Sequence, residues 1–329
     1  MAWKSISVVP VLLCAAVAGG CDSSFSPKGP FKNDVVVVSV LTADKGPQFV
    51  RLYSAYDPPA FDASAVTVDN PILAATVVLT DISGGGGTYA LHDTSVQRLD
   101  TARYNSPIHA YVTSDFIPSA GQRVGITASS PGTGTQTAST TLPGHAQMYV
   151  AITDILDHPG RYSDYSIEVV ANISYLTRGY LVRIFLEYEY LEGSTKVIER
   201  RDVPVSILTW SGNGGTITVP TYPSLSRRTS SPSATTPNTE LVFFENAAYQ
   251  FAVTSVRSQY GAKSLRFRNA IVALTQAEQN FYNYFKITNA FEDPQSIRTD
   301  QPDYTNISGG VGIFGGRTLD SLVVPVPDL

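Results

Sequence analysis

Three residues able to bind a cation or move a proton fall within five positions: Asp154, Asp157 and His158 in the stretch Asp154-Ile155-Leu156-Asp157-His158. Two carboxylates and an imidazole suit a hard cation or zinc. The spacing matches no metal-binding loop, and the continuation Pro159-Gly160 gives the stretch the chemistry of a turn. Glu187 and Glu189 lie two apart, on one face of a strand, where paired acids could cleave a glycoside; a solvated strand face has the same spacing. His92, His109 and His145 stand singly. With no G-x-S-x-G, H-E-x-x-H or Walker sequence in the chain, no catalytic residue, metal or cofactor is assigned.

One further motif points to cofactor chemistry. Gly310-Val311-Gly312-Ile313-Phe314-Gly315 spells G-x-G-x-x-G, the loop that cradles a dinucleotide pyrophosphate. Such a loop follows a strand, opens a helix and meets an acid about twenty positions on. Here turn-like Asp303-Tyr304-Thr305-Asn306 precedes it, and the last fourteen residues contain Pro325 and Pro327. The reading is therefore structural: Gly309, Gly310, Gly312 and Gly315 let the C-terminal chain turn tightly against a sheet, with Ile313 and Phe314 inward.

The chain's 329 residues suit one large or two medium domains. With 43% hydrophobic and 16% charged residues it can bury a core and is too apolar for disorder. A formal charge of -5 argues against a nucleic-acid partner. Residues 1–20, MAWKSISVVPVLLCAAVAGG, carry Lys4 and then an apolar run from Ile6 to Ala18, the pattern of a secretory leader. Its ending Val17-Ala18-Gly19-Gly20-Cys21 resembles a lipobox, with Ala18 where Leu is usual, and makes Cys21 the lipidation site. Acyl chains there would anchor the protein by about 0.8 kcal/mol per buried methylene. Once Cys14 leaves with the leader, no disulfide or thiol nucleophile is left to the folded part.

Residues 21–34 read as a tether, and strands follow. Val35 to Thr42 is a β-branched run expected to be buried on both faces. Segments at Phe49–Ser54, Ala74–Thr80, Thr88–His92, Ala110–Ser114, Gln122–Ser129 and Gln136–Thr141 complete about seven short strands. The expectation for 35–145 is an immunoglobulin-like β-sandwich closed by Leu142-Pro143-Gly144. A second β-rich domain, 146–329, is expected to carry one or two short helices. Ser166–Tyr175 and Val182–Tyr190 alternate cleanly and predict a long hairpin turning at Thr177-Arg178-Gly179. Residues 211–239, rich in Ser, Thr, Pro and Gly around Arg227-Arg228, predict a flexible loop that could bind a partner. Helices are predicted at Asn246–Tyr260 and Thr275–Asn289, the second opened by a Thr275/Glu278 capping box. Its Phe281-Tyr282-Tyr284-Phe285 cluster is read as core packing rather than a ligand platform.

These pieces resemble a known family. The lipobox leader, Ala75-Thr76-Val77-Val78-Leu79-Thr80-Asp81 before a glycine turn, Phe281-Tyr282-Asn283-Tyr284, and the ending Asn306-Ile307-Ser308-Gly309-Gly310-Val311-Gly312-Ile313-Phe314-Gly315 look like the lipoproteins grouped as domain of unknown function 4249. The resemblance implies a lipid-anchored envelope protein of a Gram-negative bacterium, often encoded beside a TonB-dependent outer-membrane receptor, and brings no catalytic residues. Asp22 after the lipidated cysteine departs from outer-membrane sorting in some bacteria. The expected function is a non-enzymatic accessory or ligand-docking partner of such a transporter at the outer membrane. The alternatives are an envelope hydrolase using Asp154, Asp157 or Glu187, and a purely structural envelope protein.

Overall fold

The computed structural model describes residues 31, 33–56, 67, 69–97, 107–212, 215–260, 265–289 and 304–329. The leader, Cys21 and most of the tether lie outside these residues. The described chain is mainly β, with few short helices.

Seven strands come first: β1 (Val35–Thr42), β2 (Gln48–Ser54), β3 (Thr76–Asp81), β4 (Thr88–Val96), β5 (Ile108–Thr113), β6 (Arg123–Ser130) and β7 (Gly134–Thr141). β4 pairs β3 through Thr88–Leu91 and β5 through His92–Val96, so one strand serves two neighbours. The ladder thus wraps a core that includes Val37, Leu41, Val50, Leu79, Tyr111 and Val124. β1 is not buried on both faces: Val35, Val37, Ser39 and Leu41 are buried, while Val36, Val38 and Val40 are half-buried. β-branched side chains favour the strand, but pleating still sends alternate ones to the outer face.

The rest of the chain adds β8 (Gln147–Val150), a one-turn helix α1 (Asp154–Asp157) with a 3-10 turn at Pro159–Tyr162, β9 (Ser166–Ile173), β10 (Gly179–Glu192), β11 (Thr195–Asp202), β12 (Ser206–Gly212), β13 (Gly215–Thr221), β14 (Ser226–Arg227) and β15 (Asn238–Glu245). It finishes with α2 (Asn246–Tyr260), β16 (Arg266–Ala277), α3 (Gln279–Asn289) and β17 (Val311–Pro325). A twelve-stranded sheet runs β11-β10-β16-β17-β1-β2-β5-β4-β3-β6-β7, with β14 beside β10. A three-stranded sheet, β15-β9-β8, and the β12-β13 pair stand apart from it.

β9 and β10 are both present, but they do not form the expected hairpin. β9 pairs β15 and β8, whereas β10 pairs β11 and β16. Between them Gln276 Oε1 accepts from the Ser174 N–H and the Thr177 hydroxyl, both at 2.8 Å, and the chain crosses to the other layer. Ile167, Val169, Ala171 and Ile173 then join one core with Val182, Ile184, Leu186 and Tyr188. Period-2 burial reports which face is covered and says nothing about the edge partner. Tyr175, placed on the buried face by the alternation, lies past the end of β9 and is exposed.

α2 spans the predicted residues and buries Tyr249, Ala252, Val253 and Val256, an i, i+3, i+4, i+7 stripe. α3 starts later than the capping box implied, because β16 continues through Thr275 to Ala277. Glu278 itself caps the helix. Its carboxylate accepts from the N–H groups of Asn280 at 2.7 Å and Phe281 at 2.8 Å. The stretch 211–239 contains the end of β12, all of β13 and β14, and the start of β15. Its Thr229 and Ser230 donate four hydrogen bonds to the buried Glu240.

Gly309 and Gly310 form a turn that leads into β17, and Gly312 and Gly315 lie within the strand. β17 runs parallel to β1, with Gly312 opposite Val37 and Gly315 opposite Val40. A Cβ on Gly309 would come 2.5 Å from Thr135 O, one on Gly310 2.5 Å from Val35 O, and one on Gly315 2.9 Å from Phe281 Cβ. Gly312 has φ +115°, a conformation open to glycine. Ile313 and Phe314 are buried, Phe314 in the first core.

Candidate functional site

Asp154, Asp157 and His158 come together with a residue from the other end of the chain. α1 ends at Asp157, and the 3-10 turn then brings Arg161 and Tyr162 round beside it. α2 fixes this unit from behind. Asn246 Nδ2 donates to the carbonyls of Pro159 at 2.8 Å and Tyr162 at 2.6 Å, and the buried Tyr249 hydroxyl donates to Leu156 O at 2.7 Å. The C-terminal segment closes the other side. Val326 is buried and its N–H donates to Arg268 O; two residues on, the Asp328 N–H donates to Asp157 Oδ1 at 2.9 Å.

The result is an open crevice of about 370 Å³ lined by Asp157, His158, Arg161, Gln250, Arg257 and Asp328, among others. Ligand atoms of Asp157, His158 and Asp328 lie within 4.8 Å of one another. His158 Nδ1 lies 2.9 Å from Asp154 Oδ1, and Nε2 lies 3.7 Å from Asp328 Oδ2. The Tyr162 hydroxyl, followed by His158 and Arg161, holds the Asp154 carboxyl below the usual range. An ionised Asp154 accepts, so the proton sits on Nδ1 and the lone pair of a neutral ring on Nε2. An imidazole oriented by a carboxylate, with two more carboxylates in reach, is a donor set a divalent cation could use. Arg161 and Arg257 line the same crevice and set positive charge against that use. Asp328, 171 residues from Asp157, carried no local sequence signal.

The other acid pair is engaged. Asn269 and then Arg200 hold Glu187 low, with Asn269 Nδ2 at 2.8 Å and Arg200 Nη2 at 3.0 Å. Lys196, at 2.8 Å, and then Arg268 do the same for Glu189. Both suit a permanently charged strand face better than a proton donor. Arg227 ends β14, and Arg228 follows it beside the start of β10. Phe281 and Phe285 make an edge-on pair 6.3 Å apart on α3, which packs on β17.

The β12-β13 hairpin is a surface that composition alone did not reveal. Leu208 faces Val219 and Trp210 faces Ile217 across the ladder, so all four share one side. All four are exposed, Trp210 by 71%. Thr209, Thr218, Ser211 and Thr216 share the other side. No charged residue occurs between Val203 and Ser226. The readable signal was alternation in ILTW and TITV around a glycine-rich turn. Among the described residues, no helix is long and apolar enough to cross a membrane.

A family profile described as "Domain of unknown function (DUF4249)" matches residues 22–321. No curated protein matches the chain. Among solved structures, the C-terminal globular domain of an oligosaccharyltransferase from Pyrococcus abyssi aligns at 12% identity with a TM-score of 0.23. That alignment covers 77% of this chain and 50% of the other, so the chain spans half the length of that protein, and the overlap is too poor to relate the folds.

Proposed function

The chain belongs to the DUF4249 family, and from that premise we propose that it is a non-enzymatic envelope protein that docks on a TonB-dependent outer-membrane transporter. In this reading lipid on Cys21 holds it at the outer membrane, and strands β1–β7 act as an immunoglobulin-like spacer. The observation that carries the proposal is the uncharged hairpin with Leu208, Trp210, Ile217 and Val219 exposed on one side. Exposed aromatic and aliphatic side chains of this kind are the anchors that protein interfaces bury at their centre. The competing hydrolase reading is less well supported, since Glu187 and Glu189 are tied to cations and held ionised.

Co-isolation from detergent-solubilised envelopes tests the docking. The wild-type protein is expected to bring down a transporter, and Trp210→Ala combined with Ile217→Ala to lose it at unchanged expression. Recovery of no transporter, under conditions that preserve other transporter complexes, overturns the partner. Undiminished recovery with the double variant overturns the surface. Alanine at Asp154, Asp157 or Glu187 is expected to leave association intact.

A further inference from the structure

Antiparallel pairing sets Gly179 opposite Arg227 and Tyr180 opposite Ser226. The same register places Arg178 opposite Arg228, and the Arg228 N–H donates to Arg178 O at 3.0 Å. Directly opposed residues share a face with Cβ atoms roughly 5 Å apart, and like charges there destabilise the sheet. The pair is also half-buried, which raises the cost of two cations.

Among the described residues Arg178 and Arg228 form no ion pair, whereas Arg51, Arg161, Arg183, Arg200 and Arg268 each meet a carboxylate. Arg178 Nε is buried without a hydrogen-bond partner. Arg228 Nη1 donates to Tyr175 O at 2.6 Å, a neutral acceptor. The charge of Glu240 acts on Arg228, but its carboxylate is buried and takes four hydrogen bonds from Thr229 and Ser230. Burial, and then the charge of Arg178, push Arg228 below the usual arginine range.

We propose that Arg178 and Arg228 form a binding site for a phosphate group. Two guanidinium side chains on directly opposed residues, one with an orphaned buried donor, suit the paired oxygens and charge of a phosphate. The bound anion removes the repulsion that the empty site carries. The site lies just before β10 and just after β14, apart from the proposed docking hairpin, and does not depend on the transporter reading.

The test uses the purified full chain without partner, scanning thermal stability against inorganic phosphate. Separate arms measure cosedimentation with phosphatidylglycerol vesicles and with phosphatidylcholine vesicles. The wild type is expected to gain stability with phosphate, and Arg178→Gln/Arg228→Gln to lose at least tenfold in phosphate affinity. Each single glutamine variant is expected to melt higher than wild type in phosphate-free buffer, because it relieves like-charge repulsion. A merely structural arginine pair would give the opposite sign. Phosphate binding identifies a free-phosphate site; binding confined to phosphatidylglycerol vesicles identifies a lipid headgroup. No response in any arm, equal binding by the double variant, or tighter binding of succinate than of phosphate overturns the proposal.

Discussion

Gly312→Ala isolates what the glycine-rich start of β17 does. Gly312 sits at φ +115°, and a Cβ built there overlaps Val37 O while lying 3.0 Å from Val37 C and 3.1 Å from Val37 N. Holding a non-glycine residue in such a conformation costs on the order of 1–3 kcal/mol. Forcing a methyl against a packed backbone adds about 1–3 kcal/mol. The sum, roughly 2–6 kcal/mol, is a large share of a typical 5–15 kcal/mol fold. Gly310→Ala separates the two contributions. Its Cβ would approach Val35 O at 2.5 Å but φ is not positive, so only the clash remains. Gly212→Ala, with nothing within 4 Å, serves as the control and is expected to change stability by less than about 0.5 kcal/mol. Urea midpoints of the purified variants should fall in the order Gly212→Ala, Gly310→Ala, Gly312→Ala. A folded Gly312→Ala protein within about 0.5 kcal/mol of wild type would refute the argument that β17 needs glycine to lie against β1.

Three further outcomes follow from other contacts. Glu199 accepts from the hydroxyls of Tyr260 at 2.8 Å and of Tyr188 and Tyr190 at 3.0 Å, which hold its carboxyl low. Its stabilisation is present above the unfolded carboxylate value and lost as pH falls through the folded one, so Glu199→Gln should flatten the fall in urea midpoint between pH 5 and pH 3. Burial pushes Glu278 up, against the pull of the Asn280, Phe281 and Gly316 N–H groups. The stability linked to its proton is therefore present below the unfolded value and lost as pH rises through the folded one; wild type should lose ground to Glu278→Gln between pH 4 and pH 8. Tyr249→Phe strands the Leu156 carbonyl behind the crevice and should cost about 1–3 kcal/mol in chemical denaturation.

Local physics carried the element assignments. The β-branched run at 35–42 and the apolar stripe at 246–260 each match an observed element end to end. What the sequence could not disclose was which strand edges meet. β9 and β10 have the alternation of a hairpin, yet the bond network of Gln276 sends them to opposite layers. Thr275-x-x-Glu278 has the letters of a capping box, but pairing of Thr275 with Leu181 and Leu319 keeps it in a strand and leaves Glu278 to cap alone. The same blindness hid one half of each cluster. Asp328 and Asp157, like Arg178 and Arg228, are neighbours through tertiary pairing alone, and no window along the chain contains either pair.

The strand that misleads as a nucleotide motif also joins the two halves of the fold. Its first residues pair with β1 and put Phe314 into the first core. Its later residues pair with β16 and put Leu322, Val324 and Val326 against the second. Neither β1 nor β16 can complete its ladder until this C-terminal segment arrives, so the closing contacts are among the most distant in the chain and carry a high loop-closure cost. Where β17 crosses between cores it must fit among β1, β7 and α3, and Gly310, Gly312 and Gly315 stand where a Cβ would strike Val35, Val37 and Phe281. The glycine spacing therefore follows from close backbone approach at a seam, as it does in a phosphate loop, although here the approaching group is another strand.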